Sequence, residues 1–263
     1  MTSELSTMRL VPLQRLAAMG RWRVEAMRSL SEGCLIHIQK GMGRITVAGV
    51  TRGYSANNVI FIPAGVMHGY EVGPGVAGTA VFFGPNCTLA LPETPQHLRL
   101  REVIAQGELS MVLEMIARES ESTKAAKDRA AHYYLGLLSV WLERQVLRNA
   151  PQAERPDAAH RLVARFAEVM EQHFRRGVGV AELAAELGVT ATHLTRCCRA
   201  ASGRTAIELL QDRRLFEARK LLSDTKMPVG QIGEALGFTS AAYFTRAFQN
   251  QTGQSPSAFR RAV

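Results

Sequence analysis

Several things are scarce in this sequence of 263 residues. It has four cysteines and two tryptophans, and aromatic residues make up only 6%. The start, MTSELSTMRL, lacks the basic-then-apolar layout of a secretory signal. With so few cysteines, that excludes a disulfide-stapled fold and points to a reducing, cytoplasmic setting. No apolar run approaches the ~18 residues that cross a bilayer, so no membrane span is expected. Phosphate-binding loops, nucleophile elbows and HExxH motifs are missing, which removes the usual signatures of nucleotide and hydrolase chemistry. Acidic residues are also short: 23 stand against 32 Lys and Arg, for a formal net charge of +9.

What is present is a globular composition, 46% hydrophobic and 21% charged, which excludes wholesale disorder. The charge is uneven. From Ala158 onward 15 Lys/Arg face 9 Asp/Glu, whereas residues 1–157 hold 17 and 14. Charge density is therefore about threefold higher in the C-terminal part, which suits a polyanion: DNA, RNA or an anionic membrane surface.

The chain changes character along its length. Between residues 34 and 84, short Val/Ile/Phe/Thr segments are broken by Gly, Pro and Asn, as in Cys34-Leu-Ile-His-Ile and Asn58-Val-Ile-Phe-Ile-Pro63. That spacing predicts a small antiparallel barrel or sandwich. Residues 99–148 switch to helical spacing, with Tyr134, Leu137, Leu138, Trp141, Leu142 and Leu147 on three- and four-residue steps. The stretch NAPQAERP carries two prolines and little apolar content, and so marks a linker. The expected division is residues 1–150 (barrel about 20–90, helices about 99–148), a linker at 151–157, and an all-helical part at 158–263. Asp157 should cap a helix from Ala158 to Phe174 that Gly177 and Gly179 break.

The C-terminal part repeats itself. Val180-AELAAELGVTATHLTRCCRAASG-Arg204 matches Val229-GQIGEALGFTSAAYFTRAFQNQTG-Gln254, with one extra residue in the second turn. Each copy reads as a helix-turn-helix, at about 180–201 and 229–251. A short apolar helix ends at Gly188 or Gly237, where a left-handed backbone costs nothing. Thr190, or Thr239 with Ser240, can cap the next helix. Leu194, Cys197, Cys198 and Ala201 are its buried side in the first copy; Phe244, Ala247 and Phe248 are in the second. Thr192, Thr195, Arg196 and Arg199 then share the free face, and Ala242, Thr245, Arg246 and Gln249 share the other. Arg on such a face can reach guanine O6 and N7 in a major groove. Between the copies, Thr205 to Leu222 predicts a helix about 27 Å long. It carries apolar residues on two sides, Ile207 among them, and is near the ~34 Å spacing of successive grooves.

The runs Arg219-Lys-Leu-Leu, Val229-Gly-Gln-Ile-Gly-Glu-Ala-Leu-Gly-Phe, Tyr243-Phe-Thr-Arg-Ala-Phe and Thr252-Gly-Gln-Ser-Pro-Ser-Ala-Phe-Arg260 resemble the signature of AraC/XylS-type transcription regulators. The resemblance covers about Ala158 to Arg261. It implies a reader of double-stranded DNA with two modules on one long helix. Its contact residues would be Thr190, Thr192, His193, Thr195, Arg196 and Arg199, then Ser240, Ala242, Tyr243, Thr245, Arg246 and Gln249. Cys197-Cys198 departs from the larger apolar residues usual in the family. Ala241-Ala242 shortens the second reader, so the second module is expected to anchor more and specify less.

Pro63-Ala-Gly-Val-Met-His68 is similar to the second motif of cupin barrels, which such regulators often carry before a dimerising helix pair. The metal set of cupin enzymes is incomplete here. His37 is followed by Gln39 where a second His would stand, and no Asp or Glu lies between Glu32 and Glu71. No metal, cofactor or catalytic role is expected. A small-molecule effector would be lined by His37, Arg44, Tyr54, Phe61, His68 and Tyr70. The expected fold class is α+β and multidomain: a cupin-like barrel with following helices, then an all-α domain with two helix-turn-helix modules. The expected function is a dimeric regulator, an activator responding to an effector and contacting RNA polymerase. A regulator without effector, and a cupin-type enzyme fused to a DNA-binding domain, are the alternatives.

Overall fold

In the computed structural model, which describes residues 8–150 and 156–262, the β-branched runs between glycine turns become eight strands. These are β1 (Arg9–Pro12), β2 (Cys34–Lys40), β3 (Met42–Val47), β4 (Val50–Ser55), β5 (Asn58–Ile62), β6 (His68–Tyr70), β7 (Ala77–Phe82) and β8 (Gln96–Arg99). Every pairing is antiparallel, in two sheets ordered β1-β7-β2-β5-β8 and β4-β3-β6. The sheets do not close into the barrel expected from the sequence. The strands also run from 9 to 99 rather than about 20–90, because β1 and β8 add as edge strands to β7 and β5.

Strand alternation sets which side chains face which layer. Cys34, Ile36 and Ile38 point between the sheets, where they meet Ile45, Tyr54, Ile60 and Tyr70. Leu35, Phe61 and Val81 point the other way, onto two helices, α3 (Val103–Ser120) and α4 (Lys127–Asn149). Leu109, Leu113, Ile116, Leu138, Trp141 and Leu142 make that second core. Of the helical residues named from spacing, Leu137 and Leu147 stay exposed. The short helices α1 (Leu13–Ala18) and α2 (Trp22–Glu25) link β1 to β2. Of the expected linker, residues 151–155 lie outside the described residues.

From Ala158 on the regular structure is helical: α5 (Ala158–His173), α6 (Val180–Glu186), α7 (Ala191–Ser202), α8 (Ala206–Asp224), α9 (Val229–Ala235), α10 (Ala241–Thr252) and α11 (Pro256–Ala262). Asp157 accepts from His160 N–H at the start of α5. Thr205 and Glu208 form a reciprocal capping box on α8, satisfying two donors that a helix start leaves free. At 19 residues α8 is about 28 Å long. Its buried apolar residues fall on two sides, Leu209, Leu210 and Phe216 on one and Leu215, Ala218 and Leu222 on the other, though Ile207 itself is exposed.

The strand and helical parts share packing. Met27 and Met67 join the helical core, and the Trp22 ring packs at a steep tilt against Phe216 and edge-on against Phe259. The β3–β4 turn sits so close to α5 that a Cβ on Gly49 would lie 2.7 Å from Val163 Cγ1. Asp212 on α8 accepts from Met27 N–H, and Ser29 Oγ donates to Glu171. At the centre Arg213, buried, donates to Glu171 and Glu217 and lies over the Phe174 ring. Buried charge stands there because every partner is present.

Candidate nucleic-acid interface

The two helix pairs are built alike from local chemistry. After α6, Gly188 takes φ +71 and its N–H bonds to Ala185 O. Thr190 then caps α7 by accepting from His193 N–H at 3.2 Å. After α9, Gly237 takes φ +73 and bonds to Glu234 O, and Ser240 caps α10 by accepting from Tyr243 N–H at 3.1 Å. The extra residue of the second turn makes Ser240 the cap, not Thr239. The copies also end alike, at Gly203 (φ +73) and Gly253 (φ +76). Ser202 and Thr252 each turn their hydroxyl back to the carbonyl four residues earlier and accept from the N–H two residues on. The repeat therefore extends past Arg204 and Gln254 into the caps Thr205 and Ser255.

Leu194, Cys197, Cys198 and Ala201 hold α7 to the core, and Phe244 and Phe248 hold α10; Ala247, placed with them from the sequence, is only half-buried. Burial pushes the Cys198 thiol up to about 12, so it is an inert packing group. On the opposite side, Ala191, Thr192, Thr195, Arg196 and Arg199 line one shallow depression of about 420 Å³. Thr192, Arg196 and Arg199 are exposed and Thr195 is half-buried. His193 lies beside them: its Nδ1 accepts from Arg196 Nη2 at 2.9 Å, leaving Nε2 facing Cys197 Sγ at 3.7 Å. On α10, Ala242, Tyr243, Arg246 and Gln249 are exposed and Thr245 is half-buried. Tyr243 packs its ring on Phe238. Each helix thus presents Thr and Arg at matching positions, donors that suit phosphates and base edges.

Residues 183–262 match the family described as a helix-turn-helix domain. The chain is 35% identical over 81 residues to the arabinose operon regulatory protein of Escherichia coli (strain K12), covering 31% of this chain and 28% of that one. It is 33% identical over 116 residues to the HTH-type transcriptional regulator GlxA of Rhizobium meliloti (strain 1021), covering 43% and 36%. Residues 183–262 are thus a helix-turn-helix domain of the AraC/XylS type. Both of these relatives are regulatory proteins. The match spans about a third of the length of these relatives. Among solved structures, the C-terminal domain of AraT, a response regulator from Geobacillus stearothermophilus, aligns at TM-score 0.38 and 27% identity, covering 42% of this chain and 89% of that one. Within the matched stretch, α7 and α10 are the capped, Arg-bearing helices.

The effector candidates fare differently. Tyr54, His68 and Tyr70 are buried, and the Tyr54 hydroxyl donates to Glu71 O. His37 and Phe61 do not line the space between the sheets. Phe61 lies opposite Leu35, and His37 opposite Val59, on the face covered by α3 and α4. Arg44 is exposed and ion-paired with Glu71. The strands' alternation, invisible without register, decides this. A groove of about 900 Å³ lies instead between the open side of the sheets and α5. Ile45, Val47, Val66 and Met67 form one wall, and Ala164 and Ala167 the other. No sequence signal marks it, since its walls are about 100 residues apart in the chain. Of the four cysteines, Cys87 is half-buried and the others are buried; none is in a disulfide.

Proposed function

We propose that this protein is a sequence-specific transcription regulator whose residues 158–263 read double-stranded DNA through two helix-turn-helix modules, α6/α7 and α9/α10. The observation that carries the reading is the duplicated, Thr/Ser-capped helix with Thr and Arg on its free face. Thr192, Thr195, Arg196 and Arg199 enter one major groove, with Thr190 and His193 at its edge. Ala242, Thr245, Arg246 and Gln249 enter the next, flanked by Ser240 and Tyr243. Helix α8, near the ~34 Å groove repeat, spaces them. Residues 1–150 form the regulatory part, and the groove between the sheets and α5 is the seat of a small-molecule effector. Contact with α5 gives a ligand there a route to bias how the DNA-reading part is held, by binding one arrangement more tightly than another.

The same part mediates self-association. Tyr133, Leu137, Val140 and Leu147 stand exposed along α4, with Val103, Ile104 and Met111 on α3. An apolar stripe of this kind suits a homodimer, and Leu137→Arg should then give a monomer by sedimentation. Activation through RNA polymerase is the regulatory sense proposed.

Selection of genomic fragments by the purified protein at stated salt tests the reading, because phosphate contacts dominate raw affinity. A recovered motif with two elements about one helical turn apart is expected. Recovery of unselected DNA, with and without cell metabolites, would overturn it.

A further inference from the structure

The connection from β8 to α3 collects positive charge beside the end of α4. Arg99 closes β8, Arg101 follows it, and Arg148 stands in the last turn of α4. All three are exposed, and with Glu102, Ala105 and Gln145 they line a pocket of about 110 Å³. Arg148 pairs with Glu102 at 3.2 Å, an exposed contact of little worth. Arg99 and Arg101 make no ion pair among the described residues. Three like charges around one small space repel one another, and a single carboxylate offsets only one of them.

Two more features of this pocket lack partners. Helix α3, 18 residues long, starts after Glu102 with no capping side chain and no acidic residue in its first turn. The N–H groups of that turn keep the partial positive charge of an uncapped helix start, and Ala105, within the turn, lines the pocket. Gln145 of α4 is only 5% exposed, and its side-chain amide has no hydrogen-bond partner among the described residues. An amide taken out of water and left unpaired is unfavourable, and the pocket it borders is where a partner fits.

Size and charge select the occupant. The pocket is well below the roughly 300–1,000 Å³ of sites that enclose a whole small molecule, so it takes a headgroup. Its donors come from three elements, β8, the start of α3 and the end of α4, which suits a tetrahedral oxyanion. A planar carboxylate is satisfied by a single guanidinium fork. Three arginines against one glutamate match the double charge of a phosphate group.

We propose that this pocket binds a phosphate group, as free phosphate or as the monoester of a small metabolite. Arg99, Arg101 and the first-turn N–H groups of α3 donate to its oxygens, and the Gln145 amide donates from the buried side. Arg148 holds Glu102 through Nη1, which leaves its other N–H groups for the ligand. The site shares no lining residue with the groove: Gln96 and His97 of β8 line the groove, and Arg99 lines the pocket. Neither α7 nor α10 contributes to it.

The test titrates the full chain calorimetrically with inorganic phosphate, glycerol 3-phosphate and acetate, with ionic strength held constant by chloride. Both phosphates should bind, and acetate at least about tenfold more weakly. Equal affinity for the two phosphates supports a site for the free ion, and tighter binding of the ester supports a metabolite. Arg101→Gln, at an exposed residue without an ion pair, should keep the wild-type melting temperature and weaken phosphate binding about tenfold. Gln145→Leu should weaken it severalfold without lowering the melting temperature of the ligand-free protein. Should Gln145→Leu fail to fold, Arg148→Gln takes its place, with a loss like that of Arg101→Gln. Arg129→Gln, at an exposed residue near the other end of α4, should bind phosphate as wild type does. The inference is overturned if neither phosphate binds, if acetate binds as tightly, or if Arg101→Gln keeps the wild-type affinity. It is equally overturned if a folded Gln145→Leu melts well below wild type, which would make that amide structural. A loss in Arg129→Gln as large as in Arg101→Gln would also overturn it, by reducing the binding to a response to net charge.

Discussion

Gly188 and Gly237 hold the same place in the two copies of the repeat and offer a matched perturbation. Both are left-handed, at φ +71 and +73, so replacing either by Ala incurs the strain of an L-residue in that region, about 1–2 kcal/mol. Their surroundings differ. A Cβ on Gly188 meets nothing within 4 Å, whereas one on Gly237 would lie 2.1 Å from Gly177 N, 2.4 Å from Gly177 Cα and 3.0 Å from Arg175 O. All three are backbone atoms, so no side chain can swing away, and the turn before α6 must move. Overpacking of this kind adds ~1–3 kcal/mol. Gly188→Ala should therefore lose about 1–2 kcal/mol and Gly237→Ala about 2–5 kcal/mol. At ~2–4 °C per kcal/mol for units of this size, the Tm loss of Gly237→Ala should be about twice that of Gly188→Ala. Thermal melting at one scan rate, followed by circular dichroism, measures both. Gly177→Ala, whose Cβ would meet Gly237 O at 2.9 Å, should behave like Gly237→Ala. Equal losses for Gly188→Ala and Gly237→Ala would refute the reasoning, because the backbone contact between the two modules would then not exist.

Three further outcomes are expected. Arg196→Ala should cost ~1–3 kcal/mol at the selected DNA site and relax preference at one base, read by competition binding; unchanged affinity and preference would remove Arg196 from the interface. Arg213→Ala leaves Glu171 and Glu217 without their shared partner and should lower stability by ~3–5 kcal/mol, read from the urea midpoint. Burial lowers His68 to about 3 and His37 to about 4. The folded state thus favours the neutral rings, and the stability they lend is present above the unfolded value near 6.5 and lost as pH falls below it. Urea midpoints should drop from pH 7 to 5, and less steeply in His68→Gln; equal slopes would contradict the burial of that ring.

The sequence by itself determined the local punctuation. Asp157, Thr190, Thr205 and Ser240 cap helices, and Gly188, Gly203, Gly237 and Gly253 end them, because capping and left-handed stops are contests between a residue and its own neighbours. The repeat was legible for the same reason, as was the Arg-bearing free face of α7, which follows from periodicity alone. The tertiary structure decided whatever joins residues far apart in the chain. Strand register sent His37 and Phe61 to the helix side and left the sheets open where a barrel was expected. Chain folding also brought Gly177 against Gly237, and Ser29 and Arg213 onto Glu171. Arg28 shows the division most plainly. In the sequence it is one of many basic residues, ordinarily solvated; only the bridge to His68 takes it out of water, since burial is a property of what lies across from a residue and not of what lies beside it.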